Sequence, residues 1–258
     1  MPLVFTAAAA TDVGRRRKAN EDAYRLLPHE NTWILADGMG GHMAGQVASN
    51  MAVEKIADFM ERWRHEPNFI WPFDPDPRLS DEANCIQMAI RVANVRIFNR
   101  GQSDDSCLNM GTTVVALTWS ETAGLIIAHV GDSRCYRLRQ GKLQQLTEDH
   151  SLVNHLKRVY FLTDEQARAR ASSNVIVRAV GLEDDVDVDI TLVRPEPGDV
   201  YLSCSDGLSD LVKDDRIQAV MLEHLPNLDQ TAHALIDAAN DAGGNDNITA
   251  VLVAAHAS

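Results

Sequence analysis

The sequence predicts an α+β fold in which helices lie over antiparallel sheets. Short runs of apolar or β-branched residues bounded by Gly, Asp or Pro predict strands, and longer segments carry apolar residues at helical spacing. Because these strands and helices come in blocks, without strict βαβ alternation, the pattern favours α+β over a parallel sheet. With 258 residues and 45% hydrophobic content, the chain can bury a large core, and we expect a single domain over 1–258.

The predicted elements follow one another along the chain without an internal repeat. In chain order, strands are predicted at 32–36, 112–119, 124–130, 199–205 and 247–255, with a hairpin at 134–147 that turns at Gln140-Gly141. Helices are predicted at 46–63, 83–98, about 214–225 and 228–242, the last ending before Gly243-Gly244.

A proline-rich segment at about 65–80 separates the first two predicted helices. Its four prolines exclude a regular helix there, so we expect a structured loop or a surface insertion. The segment also contains Phe69, Trp71 and Phe73. We expect these aromatic residues to pack the insertion onto its own core rather than to form a docking surface.

Charge and cysteine content exclude several classes of function. The net charge of −13 opposes general attraction to nucleic acid or to an anionic membrane. The four cysteines are widely separated, so we expect reduced thiols rather than a redox couple or a zinc knuckle. The apolar run LVFTAAAA lacks a preceding basic segment and is too short to span a bilayer, so we expect a cytoplasmic protein.

Acidic residues stand at or near the ends of several predicted strands. They are Glu21, Asp22, Asp37, Asp132, Asp206 and Asp246. One aspartate beside a glycine is ordinary turn chemistry, but five loops with this pattern are not. If the strand ends converge, the repelling carboxylates need a cation, and an all-oxygen ligand set selects Mg²⁺ or Mn²⁺. Two such ions can hold a hydroxide for in-line attack on phosphorus, so the pattern predicts phosphoester hydrolysis.

Glycines and a basic run complete the predicted site. In WILADGMGGHMAG, residues 33–45, the missing Cβ atoms let the backbone approach an ion and offer a carbonyl oxygen. The run Arg15–Lys18 supplies the local positive charge that the acidic chain otherwise lacks, and an arginine there can fork onto two phosphate oxygens.

Seven motifs together resemble one known family. They are RKANED, DGMGGH, MGTTVVA, GDSRCYRL, TEDHS, SDGLSD and GGNDNIT, within about residues 8–255. Their order and approximate spacing are similar to those of the metal-dependent protein phosphatases of type 2C, bacterial branch. The resemblance implies two packed antiparallel sheets flanked by pairs of helices, an α-β-β-α sandwich. It also implies hydrolysis of phosphoserine and phosphothreonine by a metal-bridging water, with two Mn²⁺ or Mg²⁺ ions and a third, weaker one in bacterial relatives.

The resemblance also implies partners. Such an enzyme acts on phosphorylated proteins and opposes a serine/threonine kinase in bacterial signalling. We expect it to work as a cytoplasmic monomer that binds neither nucleic acid nor membrane.

Carried over residue by residue, the resemblance implies a set of metal ligands. They are Asp22, Asp37, the carbonyl of Gly38, Asp132, Asp206 and Asp246. Asp37 matches the residue that bridges two ions, and Asp206 and Asp246 match ligands of the first. Asp22 and the Gly38 carbonyl match ligands of the second ion. Asp132 and again Asp206 match the positions for the third, weaker ion.

Other positions match residues that assist catalysis. Arg17 matches the phosphate-binding arginine, and the resemblance implies supporting roles for Glu21, through water, and for Asn247. Animal members carry a histidine directly after the Asp-Gly of the second motif, proposed as the acid that protonates the leaving alkoxide. This chain has Met39 there, so His42 and a metal-bound water are both candidates for that acid.

Residues 148–181 match the segment that forms the family's mobile flap beside the active site. Bacterial relatives commonly carry a glycine near position 161 and His-Pro near position 171. Both are missing here, so the path of the flap and its substrate preference do not follow from the resemblance.

Two further motif matches and one further function are compatible with parts of the sequence. Cys85 and Arg91 have the Cys-x5-Arg spacing of cysteine-dependent phosphatases, but CIQMAIR has no glycine and lies on the apolar period of a helix. The acids of DVDIT, 187–191, follow LEDDV rather than a buried strand, which favours a solvated strand over a nucleophile motif. A catalytically silent, phosphoprotein-binding module of the same fold remains the alternative function.

Overall fold

Two antiparallel sheets contain the strands of the protein. The computed structural model describes residues 3–40, 43–171 and 175–258. In chain order the strands are β1 (Leu3–Asp12), β2 (Asp22–Leu27), β3 (Thr32–Met39), β4 (Gly111–Thr112), β5 (Val114–Ser120), β6 (Gly124–Val130), β7 (Arg134–Arg139), β8 (Lys142–Gln145), β9 (Asp189–Val193), β10 (Val200–Cys204) and β11 (Ile248–Ala257). One sheet has the order β1-β11-β10-β7-β8, and the other has the order β2-β3-β5-β6-β9, with β4 paired to β3.

Seven α-helices are assigned in the described ranges. They are α1 (Ala44–His65), α2 (Asp81–Ser103), α3 (Leu152–Tyr160), α4 (Asp164–Arg168), α5 (Asp206–Ser209), α6 (Asp214–His224) and α7 (Leu228–Asp241). Among these residues, none of the helices combines the length and apolar character needed to span a membrane. The predicted helices are confirmed to within two residues at each end, except that α2 ends five residues beyond its predicted end.

The molecule has four layers, and a hydrophobic cluster lies between each layer and the next, three clusters in all. The side chains of β3 alternate between two of them, as the twofold period of a strand requires. Ile34 and Ala36 pack beneath α1 and α2, whereas Trp33 and Leu35 face the other sheet in the central cluster. A third cluster joins the outer face of that other sheet to α6 and α7. The predicted α-β-β-α sandwich is confirmed.

The proline-rich segment packs onto the protein's own core, as predicted. Residues 66–80 contain neither helix nor strand. Phe69 meets Phe59 of α1 edge to face, with ring centroids 5.1 Å apart, and Arg91 of α2 lies 4.3 Å above the ring of Phe73. These contacts anchor the insertion to both long helices.

The alternative motifs have structural roles. Cys85 is fully buried in α2, where burial raises the pKa of its thiol, so it cannot act as a thiolate nucleophile. The acids of DVDIT lie in and before the edge strand β9, where Asp189 is exposed. The interpretation of a solvated strand is confirmed there.

Candidate metal centre

Two of the predicted aspartates face each other across neighbouring strands. The antiparallel register of β2 and β3 pairs Asp22 directly with Asp37. Asp22 is 7% exposed, and its Oδ2 accepts hydrogen bonds from the hydroxyls of Thr249 (2.6 Å) and Ser205 (2.8 Å). Burial raises the pKa of Asp22 to about 6 against the effect of those hydroxyls. Its buried Oδ1 accepts no hydrogen bond among the described residues.

The second sheet contributes two more carboxylates at the same end of the sandwich. Asp206 follows β10 as the first residue of α5, and Asp246 stands just before β11. Because β10 and β11 are antiparallel neighbours, the end of one lies beside the start of the other. Burial raises the pKa of Asp37 well above its usual range, and the charges of Asp22, Asp206, Asp132 and Asp246 raise it further. The fold therefore brings the five predicted aspartates together.

Asp132 lies on the loop after β6 and is buried. Burial raises its pKa to about 6, with a further contribution from the charge of Asp149. Like Asp22, it keeps one carboxylate oxygen, Oδ1, that accepts no hydrogen bond within the described ranges.

Asp210 is an acidic neighbour that the sequence analysis missed. Its charge raises the pKa of both Asp132 and Asp206. It stands four residues after Asp206, at the end of SDGLSD, and this spacing places two residues on one side of a helical turn. The four-residue spacing within SDGLSD was therefore the feature of the sequence that could have identified Asp210.

Gly38 lies where β3 meets the start of α1. A Cβ atom on it would come 2.1 Å from the carbonyl oxygen of Gly45, a distance that no side chain tolerates. The backbone N–H of Gly38 donates to the carbonyl of Glu21 at 3.1 Å. Glycine is therefore required for the backbone to lie this close to α1 and to the acidic pair Glu21-Asp22.

A cleft of about 520 Å³ opens over these carboxylates. Asp37, Gly38, Asp206 and Asp246 line it, together with Arg17. The side chain of Arg17 is 51% exposed, and its Nη2 donates to Asp246 Oδ2 at 2.6 Å. A guanidinium thus stands at the mouth of an otherwise acidic cleft.

Asn247 connects the loop that carries Arg17 to the start of β11. Its Nδ2 donates to the carbonyls of Val13 (3.0 Å) and Ala19 (2.9 Å), and its Oδ1 accepts from the backbone N–H of Glu21 (2.8 Å). The side chain therefore fixes both ends of residues 13–21. His42, the candidate general acid, lies outside the described residues.

A second group of possible metal-binding side chains contains His129, His150 and Asp189. His150 Nδ1 accepts the N–H of Gly131 at 3.0 Å, so its proton is on Nε2, which lies 3.3 Å from Asp189 Oδ2. Arg178 already pairs with the same carboxylate at 2.6 Å. The carboxylate of Asp189 is therefore already paired with both His150 and Arg178.

The aspartate cluster, in contrast, fits hard divalent cations. Its donors are carboxylate oxygens, and two of these are fully buried without a hydrogen-bond partner in the described part of the chain. The raised pKa values of its members reflect burial and mutual repulsion, which a cation relieves. Mn²⁺ and Mg²⁺ match this oxygen-only set better than softer metals do.

Comparison with known proteins identifies the family of the chain. A family model described as Protein phosphatase 2C matches residues 13–252. The serine/threonine phosphatase stp of Listeria monocytogenes is 37% identical over 246 residues, which cover 94% of this chain and 93% of that protein. The crystal structure of the Mycobacterium tuberculosis serine/threonine phosphatase PstP/Ppp aligns with a TM-score of 0.83 and 33% identity, covering 97% of this chain and 98% of that one.

A second solved structure, of the catalytic domain of the serine/threonine protein phosphatase PstP, contains two manganese ions. It aligns with a TM-score of 0.81 and 33% identity, covering 99% of this chain and 100% of that one. Both the sequence motifs and the sandwich of sheets and helices are thus shared over nearly the whole chain. The chain belongs to the protein phosphatase 2C family.

Proposed function

We propose that the aspartate cleft is the active site of a Mn²⁺- or Mg²⁺-dependent protein serine/threonine phosphatase. Family membership and the names of the relatives support the activity. The observation that carries the assignment to this cleft is the meeting of aspartates from both sheets beneath Arg17. The whole chain, 1–258, acts as one catalytic domain in this proposal, with 148–181 as its flap.

The proposed ligands divide between two ions. Asp37 would lie between them, with Asp206 and Asp246 on one side and Asp22 and the Gly38 carbonyl on the other. The two manganese ions of the PstP catalytic domain support this number. When bound, the ions supply Lewis acidity and activate water for attack on phosphorus. A third, weaker ion would be held by Asp132 and Asp206.

The remaining residues of the cleft bind and orient the phosphate in this proposal. Arg17 presents a planar guanidinium, which matches two phosphate oxygens better than a point charge does. Asn247 keeps the loop of Arg17 in place through its three hydrogen bonds, and Glu21 assists from the same loop. His42 and a metal-bound water both remain candidates for the proton donor to the leaving alkoxide, and a His42→Ala variant with unchanged turnover and pH dependence would exclude His42.

We further propose that phosphorylated proteins are the substrates and that the enzyme opposes a serine/threonine kinase. We propose that it is a cytoplasmic monomer with no membrane association. The four cysteines are all free and buried, which suits a reducing compartment. The silent, phosphoprotein-binding alternative is not favoured, because none of the expected carboxylates is missing.

The test is hydrolysis of p-nitrophenyl phosphate by the purified protein with Mn²⁺, with Mg²⁺ and with EDTA. We expect activity that requires a metal and falls by at least about 100-fold in Asp206→Asn, because the variant loses a ligand shared by two ions. Asp237→Asn, an exposed aspartate of α7, is the matched control and should keep full activity. Full turnover in Asp206→Asn would contradict the assignment of the site.

A further inference from the structure

A second cleft continues from the metal centre. It has a volume of about 1050 Å³ and opens between the segment 151–168 and the start of α5 and α6. Asp206 lines both clefts, so the second begins where the first ends. A polypeptide whose phosphorylated residue lies at the metal centre can therefore extend into this second cleft.

Phe161, on the rim of this cleft, has two unfavourable properties at once. Its side chain is 91% exposed, although burial of an aromatic ring is strongly favourable. Its backbone also has φ of +53°, in the left-handed region that a bulky residue rarely adopts. Glycine would end α3 in this conformation without strain. A strained and exposed aromatic residue at an active-site cleft indicates a function for its side chain.

The surroundings of Phe161 show what the cleft can bind. Leu162 and Val153 extend the apolar surface from the rim inward. Arg158 and Lys213 also line the cleft, and neither has a salt-bridge partner in the part of the chain that the structure describes. Acidic residues, among them Glu148, Asp210 and Asp214, line the cleft as well, so charges of both signs surround the apolar contact. Such a lining suits a polypeptide that carries an apolar side chain close to its phosphorylated residue.

We propose that this second cleft binds the polypeptide segment next to the phosphorylated residue of a substrate protein, and that Phe161 contacts an apolar side chain of that segment. This inference rests on the proposed function and adds a preference among its substrates. Continuity with the metal centre through Asp206 favours a substrate segment over a second copy of this chain.

The test compares phosphoserine peptides in which one leucine is moved through an otherwise polar sequence. The measured quantity is kcat/KM for each peptide divided by kcat/KM for p-nitrophenyl phosphate, with Mn²⁺ present. We expect the wild type to prefer leucine at a defined position, and Phe161→Gly to lower the ratio for that peptide about tenfold, as truncation of an aromatic hot spot does. Phe161→Leu should keep most of the preference.

Stability measurements separate this role from simple unfolding. Because glycine relieves the positive φ, Phe161→Gly should be at least as stable as the wild type while it loses peptide selectivity. Two variants are matched controls that should leave the ratio unchanged. Gln140→Gly relieves a positive φ of 51° in the β7–β8 turn, and Ile70→Ala removes an 86% exposed apolar side chain from the insertion.

Three results would overturn the inference. They are an unchanged ratio in Phe161→Gly, equal rates for all leucine positions in the wild type, or a dimer in solution that Phe161→Gly dissociates. Loss of the whole proposed function would look different, because the wild type would then hydrolyse neither the peptides nor p-nitrophenyl phosphate in any metal.

Discussion

At the scale of single residues, the site depends on oxygen atoms that the folded chain buries without a hydrogen-bond partner. Oδ1 of Asp22 and Oδ1 of Asp132 are two such atoms among the described residues. Leaving a buried acceptor unpaired costs about 1–3 kcal/mol, so each is unfavourable unless a ligand completes it. The second oxygen of Asp22 is held by Ser205 and Thr249, which fixes the carboxylate plane.

Arg17 provides a prediction at this scale. We expect Arg17→Ala to raise KM for phosphopeptides about tenfold with a smaller effect on kcat, because a charge-assisted, forked contact to phosphate is lost. Arg17→Lys should recover only part of the affinity, since an ammonium lacks the planar fork. Steady-state kinetics at saturating Mn²⁺ measures both effects. The neighbouring, exposed Arg16→Ala is the control, and an unchanged KM in Arg17→Ala would remove Arg17 from the phosphate site.

Residue types and spacing predicted the aspartates but not their supporting groups. Asp37, Asp132, Asp206 and Asp246 each stand beside a predicted strand and a glycine or asparagine that is visible in the sequence, whereas Asp22 begins β2, which was not predicted. Ser205 and Thr249 looked like ordinary strand residues, because their hydroxyls meet Asp22 only after β2, β10 and β11 have assembled. Such contacts are properties of the tertiary structure and leave no periodic pattern.

At the scale of elements, a loop without regular secondary structure carries Arg17, the proposed phosphate-binding residue. Residues 13–21 join the two sheets, from β1 of one to β2 of the other. The side chain of Asn247 makes three hydrogen bonds to this loop, and the backbone N–H of Arg15 donates to the carbonyl of Gly244 at 2.7 Å. The residues just before the start of β11 therefore hold the loop in its conformation.

Asn247→Ala tests this role. We expect it to lower the free energy of unfolding by about 2–3 kcal/mol, because two carbonyls and one N–H lose their partner. It should also raise KM, since Arg17 lies on the released loop. Urea denaturation in EDTA measures stability without a contribution from bound metal. Asn245→Ala, two residues earlier and exposed, is the control, and an unchanged stability of Asn247→Ala would show that other contacts hold the loop.

Elements with strong local patterns were predicted well, and two strands were missed. The apolar strand β6 was predicted with its observed bounds, and the turn of the β7–β8 hairpin was found from Gln140-Gly141. β1 is an alanine-rich, half-exposed edge strand, and β2 is short and carries Asp22 and Arg25, so neither resembles an apolar run. Without β2, the pairing of Asp22 with Asp37 could not follow from the sequence.

At the scale of the whole molecule, the proposed active site lies where the two sheets meet. Asp22 and Asp37 come from one sheet, and Asp206 and Asp246 from the ends of the other. The packed residues between the sheets, among them Trp33 and Tyr201, set the separation of these carboxylates. Folding therefore places negative charges close together, and their repulsion destabilises the folded, metal-free protein.

This arrangement makes stability depend on pH and metal together. In the metal-free protein, Asp22 and Asp132 have a pKa of about 6, against roughly 3.9 in the unfolded chain. Between these values the folded state binds more protons, so their contribution to stability falls as pH rises, by on the order of 1–3 kcal/mol per carboxyl. His150, whose pKa burial lowers to about 4, acts in the opposite direction over the same range.

The stabilisation by metal reports on the carboxylates alone, because His150 contributes equally to the free energy of unfolding with and without Mn²⁺. We define it as the free energy of unfolding with Mn²⁺ minus that with EDTA. It should be small near pH 5, where protons compete for the ligands, and should grow by a few kcal/mol up to about pH 7.5. Urea denaturation across this range measures it, with Asp237→Asn as a control that keeps the full dependence. In Asp22→Asn the growth should be smaller, since one titrating ligand is gone. A metal stabilisation that does not change with pH would contradict the ionisation behaviour derived for this cluster.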